Sequence, residues 1–189
     1  MNIGTPQREL GDVDVSRLRE AILSQEQDAW LENNQRQQDY QVHNQTRSIV
    51  LLFCDESWPN GKIHRESGWD RLAEVAEPLM QQIIEDNYQP GGEILRAMAA
   101  NLPPRGKIKP HRDVLESFHM GHRVHVPITT NPAVRFTIDG KPYAFEVGKA
   151  YEINNQLQHS VVNLGTEDRI TFIFDYVPSD RLPSGALSA

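Results

Sequence analysis

His111-Arg112-Asp113 and, further along, His159 have the side-chain types of a metal site. In an extended segment, residues two apart point the same way, so His111 and Asp113 can face one ion while a distant strand supplies the third ligand. Two histidines and one carboxylate on one face of a metal form the ligand set of non-haem Fe(II) oxygenases. The three remaining positions take a bidentate co-substrate and dioxygen. A lone His-x-Asp is weak, because a chain with 7 histidines contains such pairs readily by chance. The competing reading is a surface pair in a Pro-rich loop (Pro103, Pro104, Pro110).

The neighbours of these residues strengthen the metal reading. Arg169 opens the run Ile170-Thr171-Phe172-Ile173-Phe174-Asp175-Tyr176. Alternation puts Arg169, Thr171, Ile173 and Asp175 on one face, with Ile170, Phe172, Phe174 and Tyr176 on the other. The apolar face suits packing against helices, which turns Arg169 inward. A buried arginine is costly unless it meets a carboxylate, and a dicarboxylic co-substrate brings one that the guanidinium can grip with two bonds. The alternative is an exposed strand-end arginine following Glu167-Asp168. Arg123 and His125 alternate with Val124 and Val126, so they join the same polar cavity or form a solvated edge. His119 and His122 read as loop residues, and His43 and His64 as surface or structural. Cys54, the single cysteine, reads as a buried core thiol and excludes an internal disulfide.

The elements that must position these groups follow from periodicity. Residues 14–40 read as helical, with Val15, Leu18, Ala21 and Ile22 at helical spacing. Residues 69–86 read as a second helix with the stripe Leu72, Val75, Ala76, Leu79, Met80, Ile83 and Ile84, in which Pro78 predicts a kink or a weak point. Residues 48–53 read as a buried strand. Short strands are expected at 93–101, 121–129, 133–138, 142–147, 149–153, 158–163 and 168–177. Asp139-Gly140 marks a hairpin. Residues 1–11 read as a loose start and 178–189 as a poorly ordered tail. The fold class expected is mainly β with flanking α: a sandwich or barrel, jelly roll among the possibilities, with the helices packed outside. One domain is expected over 1–189, with a mostly helical flank and outer strand to residue 92, a core at 93–178 and the tail beyond.

Net charge is −7, which argues against a non-specific nucleic-acid or anionic-membrane partner. No apolar run is long enough to span a bilayer, and residues 1–6 lack a signal-peptide core, so a cytoplasmic setting is expected.

Four segments together carry a family resemblance: 102–113 (Leu-Pro-Pro-Arg-Gly-Lys-Ile-Lys-Pro-His-Arg-Asp), Arg123-Val124-His125-Val126-Pro127, Gln158-His159-Ser160-Val161-Val162-Asn163, and 168–176. In this order they resemble the aspartyl/asparaginyl β-hydroxylase-like 2-oxoglutarate oxygenases, over roughly residues 93–178. The resemblance implies a double-stranded β-helix (jelly-roll) core. It implies Fe(II) on His111, Asp113 and His159, O2 as oxidant, and 2-oxoglutarate as co-substrate. Arg169 would bind its distal carboxylate, with Arg123 and His125 helping to hold it. Animal members lack the carboxylate ligand, so Asp113 makes this chain look closer to bacterial members and free-proline hydroxylases. The substrate implied is an amino acid or a peptide or protein side chain. Arg112, Arg135, Asn154 and Gln156, with the loop around Trp58, are candidates to line its entrance. The rival functions are a metal-binding cupin that is not an oxygenase, against which Arg169 speaks, and a non-catalytic jelly-roll binding module.

Overall fold

The structure is a computed structural model that describes residues 1–32 and 45–183. The stretch 33–44, with His43 and the end of the first expected helix, lies outside the described residues, as does the tail 184–189.

Eleven strands among these residues form two antiparallel sheets. In chain order they are β1 (Gln7–Asp12), β2 (Arg47–Cys54), β3 (Ile63–Arg65), β4 (Glu93–Leu102), β5 (Lys107–His111), β6 (His122–Thr129), β7 (Val134–Ile138), β8 (Lys141–Tyr143), β9 (Lys149–Ile153), β10 (His159–Asn163) and β11 (Arg169–Val177). The larger sheet runs β1-β9-β6-β11-β4-β2-β3 and the smaller β5-β10-β7-β8. Two such sheets, closed by long crossovers, make a jelly-roll core.

Helices α1 (Ser16–Leu23) and α2 (Ser67–Asn87) cover the outer face of the larger sheet. Leu18 and Ile22 of α1, and Leu72, Ala76, Leu79, Met80, Ile83 and Ile84 of α2, pack with Ile170, Phe172, Phe174 and Tyr176 of β11 and with Val124 and Val126 of β6. This is the apolar face that the alternation of β11 predicts. Helix α2 continues through the exposed Pro78, because the buried stripe on both sides of it pins the helix to the sheet. Gly68 lies so close to the carbonyl of Val50 that any side chain there would collide with β2.

The inner space between the sheets holds a second apolar cluster of Leu102, Phe136, Ile138, Phe145, Tyr151, Ile153 and Val161. Its polar half is the site. Asp139 and Gly140 turn the β7–β8 hairpin with φ of 50° and 74°, the double left-handed conformation that an Asp-Gly turn requires.

Several expectations need correction. Residues 7–12 are not loose but add β1 to the edge of the larger sheet, where Arg8 pairs with Glu152 and Glu9 with Lys149. The first helix is only 16–23, followed by a single 3-10 turn at 27–30. The strand expected at 142–147 is the short β8, ending at Tyr143. Residues 107–111 form β5, and a five-residue helix, α3 (Glu116–Met120), follows it. His119 therefore lies in α3, and His122 opens β6 with its ring 2.5 Å from Glu152 Oε1, so neither is a loop residue.

Candidate metal centre

His111 ends β5 and His159 begins β10. The two are direct register partners across the smaller sheet, with ring centroids 4.3 Å apart. A bulge in β5 between Ile108 and His111 lets both residues face the space between the sheets despite their odd spacing. Asp113 stands two residues past the strand end, its backbone N–H held by the carbonyl of Asn155. The ligand-type atoms of His111, Asp113 and His159 all lie within 4.8 Å of one another, with His111 Nε2 3.8 Å from Asp113 Oδ1.

Each ring is oriented from behind. His111 Nδ1 is 2.8 Å from the carbonyl of Lys109, and His159 Nδ1 is 3.0 Å from that of Leu157. A carbonyl only accepts, so both Nδ1 atoms carry the proton and both Nε2 lone pairs turn inward. Burial lowers the pKa of His159; the Asp113 carboxylate pulls it back up and His111 adds to the lowering. The outcome is a neutral imidazole, the form that ligates. On the carboxylate, Oδ2 accepts a 2.8 Å bond from Arg123 Nη1, which leaves Oδ1 on the side of the histidines. Two nitrogens and one oxygen, each fixed from behind, suit an octahedral divalent ion that needs three further positions.

The opposite wall is the larger sheet. Arg123 and His125 of β6 and Arg169 of β11 line one cavity together with His111, His159 and Phe136. Arg123 is buried and donates through Nε and Nη2 to the two oxygens of Asp175, both at 2.8 Å. Burial pulls its pKa down, but Asp113 and Asp175 outweigh that and raise it. His125 meets the Phe136 ring edge-on at 5.8 Å. Arg169 differs from Arg123. It is 5% exposed, and no carboxylate among the described residues pairs with it. Burial alone pulls its pKa down to about 10, and its guanidinium lies 5.7 Å from the Phe136 ring centroid.

The residues considered for the entrance are dispersed. Arg112 is exposed between His111 and Asp113. Arg135 bonds the carbonyls of Pro132 and Val134 and lines an adjoining cavity of about 330 Å³ that also reaches Arg169. The amides of Asn154 and Gln156 are committed internally, the first to Asn2 and Thr5, the second to the carbonyls of Asp113 and Phe118. Trp58 is buried in a separate cluster with Cys54, Leu95 and Val177. Residues with no assigned role in the sequence reading also line the cavity, among them Thr46 and Asn101. For Asn101 the sequence signal is a polar residue within the apolar strand β4; Thr46 stands just ahead of β2, in the stretch Gln45-Thr46-Arg47-Ser48-Ile49 that bears a weaker likeness to the family.

The sequence profile of the aspartyl/asparaginyl β-hydroxylase family matches residues 18–178. The chain belongs to that family. It is therefore an enzyme, an oxygenase of the 2-oxoglutarate and Fe(II) class. No curated protein sequence matches it. Among solved structures, it is similar to a 2-oxoglutarate-Fe(II) oxygenase family oxidoreductase from Burkholderia pseudomallei (12% identity, 75% of this chain and 74% of that one, TM-score 0.54). It is also similar to a prolyl-4-hydroxylase from Pseudomonas putida (12% identity, 92% of each chain, TM-score 0.51). A third likeness is to the viral collagen prolyl hydroxylase of Paramecium bursaria Chlorella virus-1 (8% identity, 93% of this chain and 97% of that one, TM-score 0.52). At such identities the likeness concerns the fold. No helix among the described residues is long and apolar enough to cross a membrane.

Proposed function

We propose that this family member hydroxylates a C–H bond of an amino acid or of a peptide or protein side chain, with His111, Asp113 and His159 holding Fe(II) and Arg169 anchoring 2-oxoglutarate. The observation that carries the reading is Arg169: a buried cation that pairs with no carboxylate among the described residues and lines the same cavity as His111 and His159. An isolated buried charge is expensive, and a dicarboxylate would remove the expense with a two-pronged bond. A metal-binding cupin without a dicarboxylate co-substrate has no use for that arginine.

When bound, the iron and its co-substrate supply dioxygen activation coupled to decarboxylation of 2-oxoglutarate to succinate and carbon dioxide. The chain's own contribution is placement. The carbonyls of Lys109 and Leu157 fix the histidine tautomers, and Arg123 fixes the carboxylate. Arg123 spends three of its five N–H donors on Asp113 and Asp175, so two remain for a co-substrate oxygen. His125 adds a ring on the same wall. Ile108, Phe136, Val161 and Ile173 keep the space between metal and Arg169 apolar, which strengthens each charge interaction there. Exposed Arg112 and Arg135 are the side chains still open to a substrate carboxylate; Gln156 supports the segment that carries Asp113, and Asn154 holds the N-terminal residues Asn2 and Thr5.

The test is a panel of free amino acids and short peptides, scored for substrate-stimulated succinate formation with Fe(II). One or more substrates should stimulate it in the wild type and none in His111→Ala. Equal succinate in both proteins would remove the metal assignment. A substrate found only among free amino acids would favour the second reading, a free amino-acid hydroxylase such as one acting on proline.

A further inference from the structure

Behind the metal ligands lies a row of buried charges that three ligands alone do not require. Register sets Arg96 of β4, Asp175 of β11 and Arg123 of β6 side by side across three adjacent strands. Asp175 and Arg96 are each 2% exposed. Arg123 spans Asp175 with two 2.8 Å bonds and reaches Asp113 with a third. Arg96 approaches Asp175 from the other side at 3.5 Å and donates to Ser117 Oγ at 2.9 Å. The ring of Phe118 packs against both cations, its centroid 4.2 Å from the Arg96 guanidinium and 4.5 Å from that of Arg123. Signs alternate along the row, from Arg96 through Asp175 and Arg123 to Asp113, and the row ends on a metal-ligand carboxylate.

We propose that Asp175 is a positioning residue for the metal site: it restrains Arg123 so that Asp113 presents one oxygen to the metal. This inference rests on the reading of His111, Asp113 and His159 as the ligands. Without restraint, Arg123 would be free to pair with Asp113 differently. A guanidinium beside a carboxylate prefers the forked pair, in which both oxygens are taken. On Asp113 that pair would draw Oδ1 away from the histidines and set the arginine against the metal. Asp175 holds the Nε and Nη2 edge and so fixes the guanidinium's orientation; in that orientation Arg123 meets Asp113 with a single Nη1 bond, and that bond falls on Oδ2. Arg96 balances the second negative charge. Burial would raise the pKa of the Asp175 carboxyl, but Arg123 and Arg96 hold it below the ordinary carboxylate value, so the restraint stays charged. Ser117 and Phe118 belong to α3, which directly follows the His-x-Asp segment. The same row therefore ties that segment to the sheet.

The test is Asp175→Asn, which keeps the shape and removes the charge. Fe(II) is titrated into wild type and variant under nitrogen by calorimetry, and Co(II) absorption reports the ligand set. Metal affinity should fall by about 10- to 100-fold, the usual effect of losing a partner behind a metal ligand. The Co(II) spectrum should change, and the loss should show in metal affinity and kcat rather than in KM for 2-oxoglutarate at saturating metal. Where Asp175→Asn does not fold, Arg123→Lys supplies the same test, since one ammonium cannot bridge both carboxylates in this geometry; it should show the same weakening. A folded variant of either kind with wild-type Fe(II) affinity and an unchanged Co(II) spectrum overturns the proposal. Wild-type protein that binds no Fe(II) instead overturns the ligand assignment itself.

Discussion

Arg123 and Arg169 are both buried arginines on the inner face of the larger sheet and line the same cavity, yet their surroundings are opposite. Arg123 sits between two carboxylates, and a third charge, Arg96, backs one of them. Arg169 lies near an aromatic ring, and no carboxylate among the described residues pairs with it. A cation whose partners are all protein is part of the framework. A cation buried without one is a cost that folding alone does not explain, and it marks where a ligand's charge belongs. On the proposed reading, the metal end of the cavity is prepared by the chain itself, while the far end is completed by what binds there.

Four experiments probe that contrast. The largest effect should come from the ligands. His111→Ala or His159→Ala should abolish measurable Fe(II) binding and cut turnover by more than about 100-fold, beyond what outer partners cost. Turnover near wild type in both would end the metal assignment. Second, the two buried charges should respond oppositely to truncation. Asp175→Leu leaves two arginines short of a counter-ion and should destabilise the metal-free protein by about 3–5 kcal/mol in chemical denaturation. Arg169→Met removes an unpaired charge, so the metal-free protein should be as stable as wild type or more so. Marked destabilisation by Arg169→Met would place a protein partner on that arginine. Third, in a thermal melt, 2-oxoglutarate at 100 times its wild-type dissociation constant should stabilise metal-loaded wild type by about 2.7 kcal/mol and Arg169→Met by no more than about 0.9 kcal/mol. The smallest effect is the pH dependence carried by His159. Its pKa in the fold lies below the ordinary 6.5, so the unfolded chain takes up this proton first as pH falls. Stability of the metal-free protein should be flat in this respect above 6.5 and decline below it, by at most about 1.4 kcal/mol per pH unit from this group. His159→Asn should remove that share of the slope.

Much of this site was legible because side-chain alternation in β11 is unambiguous. Four aromatic or aliphatic residues on one face oblige Arg169 and Asp175 to share the other. The Asp139-Gly140 hairpin was equally plain. β5 was not, because only Ile108 in Lys107-Ile108-Lys109-Pro110-His111 is apolar. An edge strand needs no second buried face, and it tolerates a proline. The polar β1 was hidden for the same reason, since it is held by backbone pairing and two ion pairs rather than by a hydrophobic pattern. The positioning row was hidden for another. Arg96 interrupts the apolar run of β4 and Asp175 that of β11, which marks each as unusual. What joins them is cross-strand register between segments far apart in sequence, and a single sequence does not encode that in readable form. Asn154 and Gln156 lie close to His159 in sequence, but their amides are used up within the fold.

The most direct test of the whole account is an anaerobic titration of 2-oxoglutarate into Fe(II)-loaded wild type and Arg169→Met. The account predicts one site per chain in the wild type and an affinity roughly 30-fold or more weaker in the variant, the loss expected when one member of a buried charge pair is removed. Equal affinity in the two proteins would contradict it.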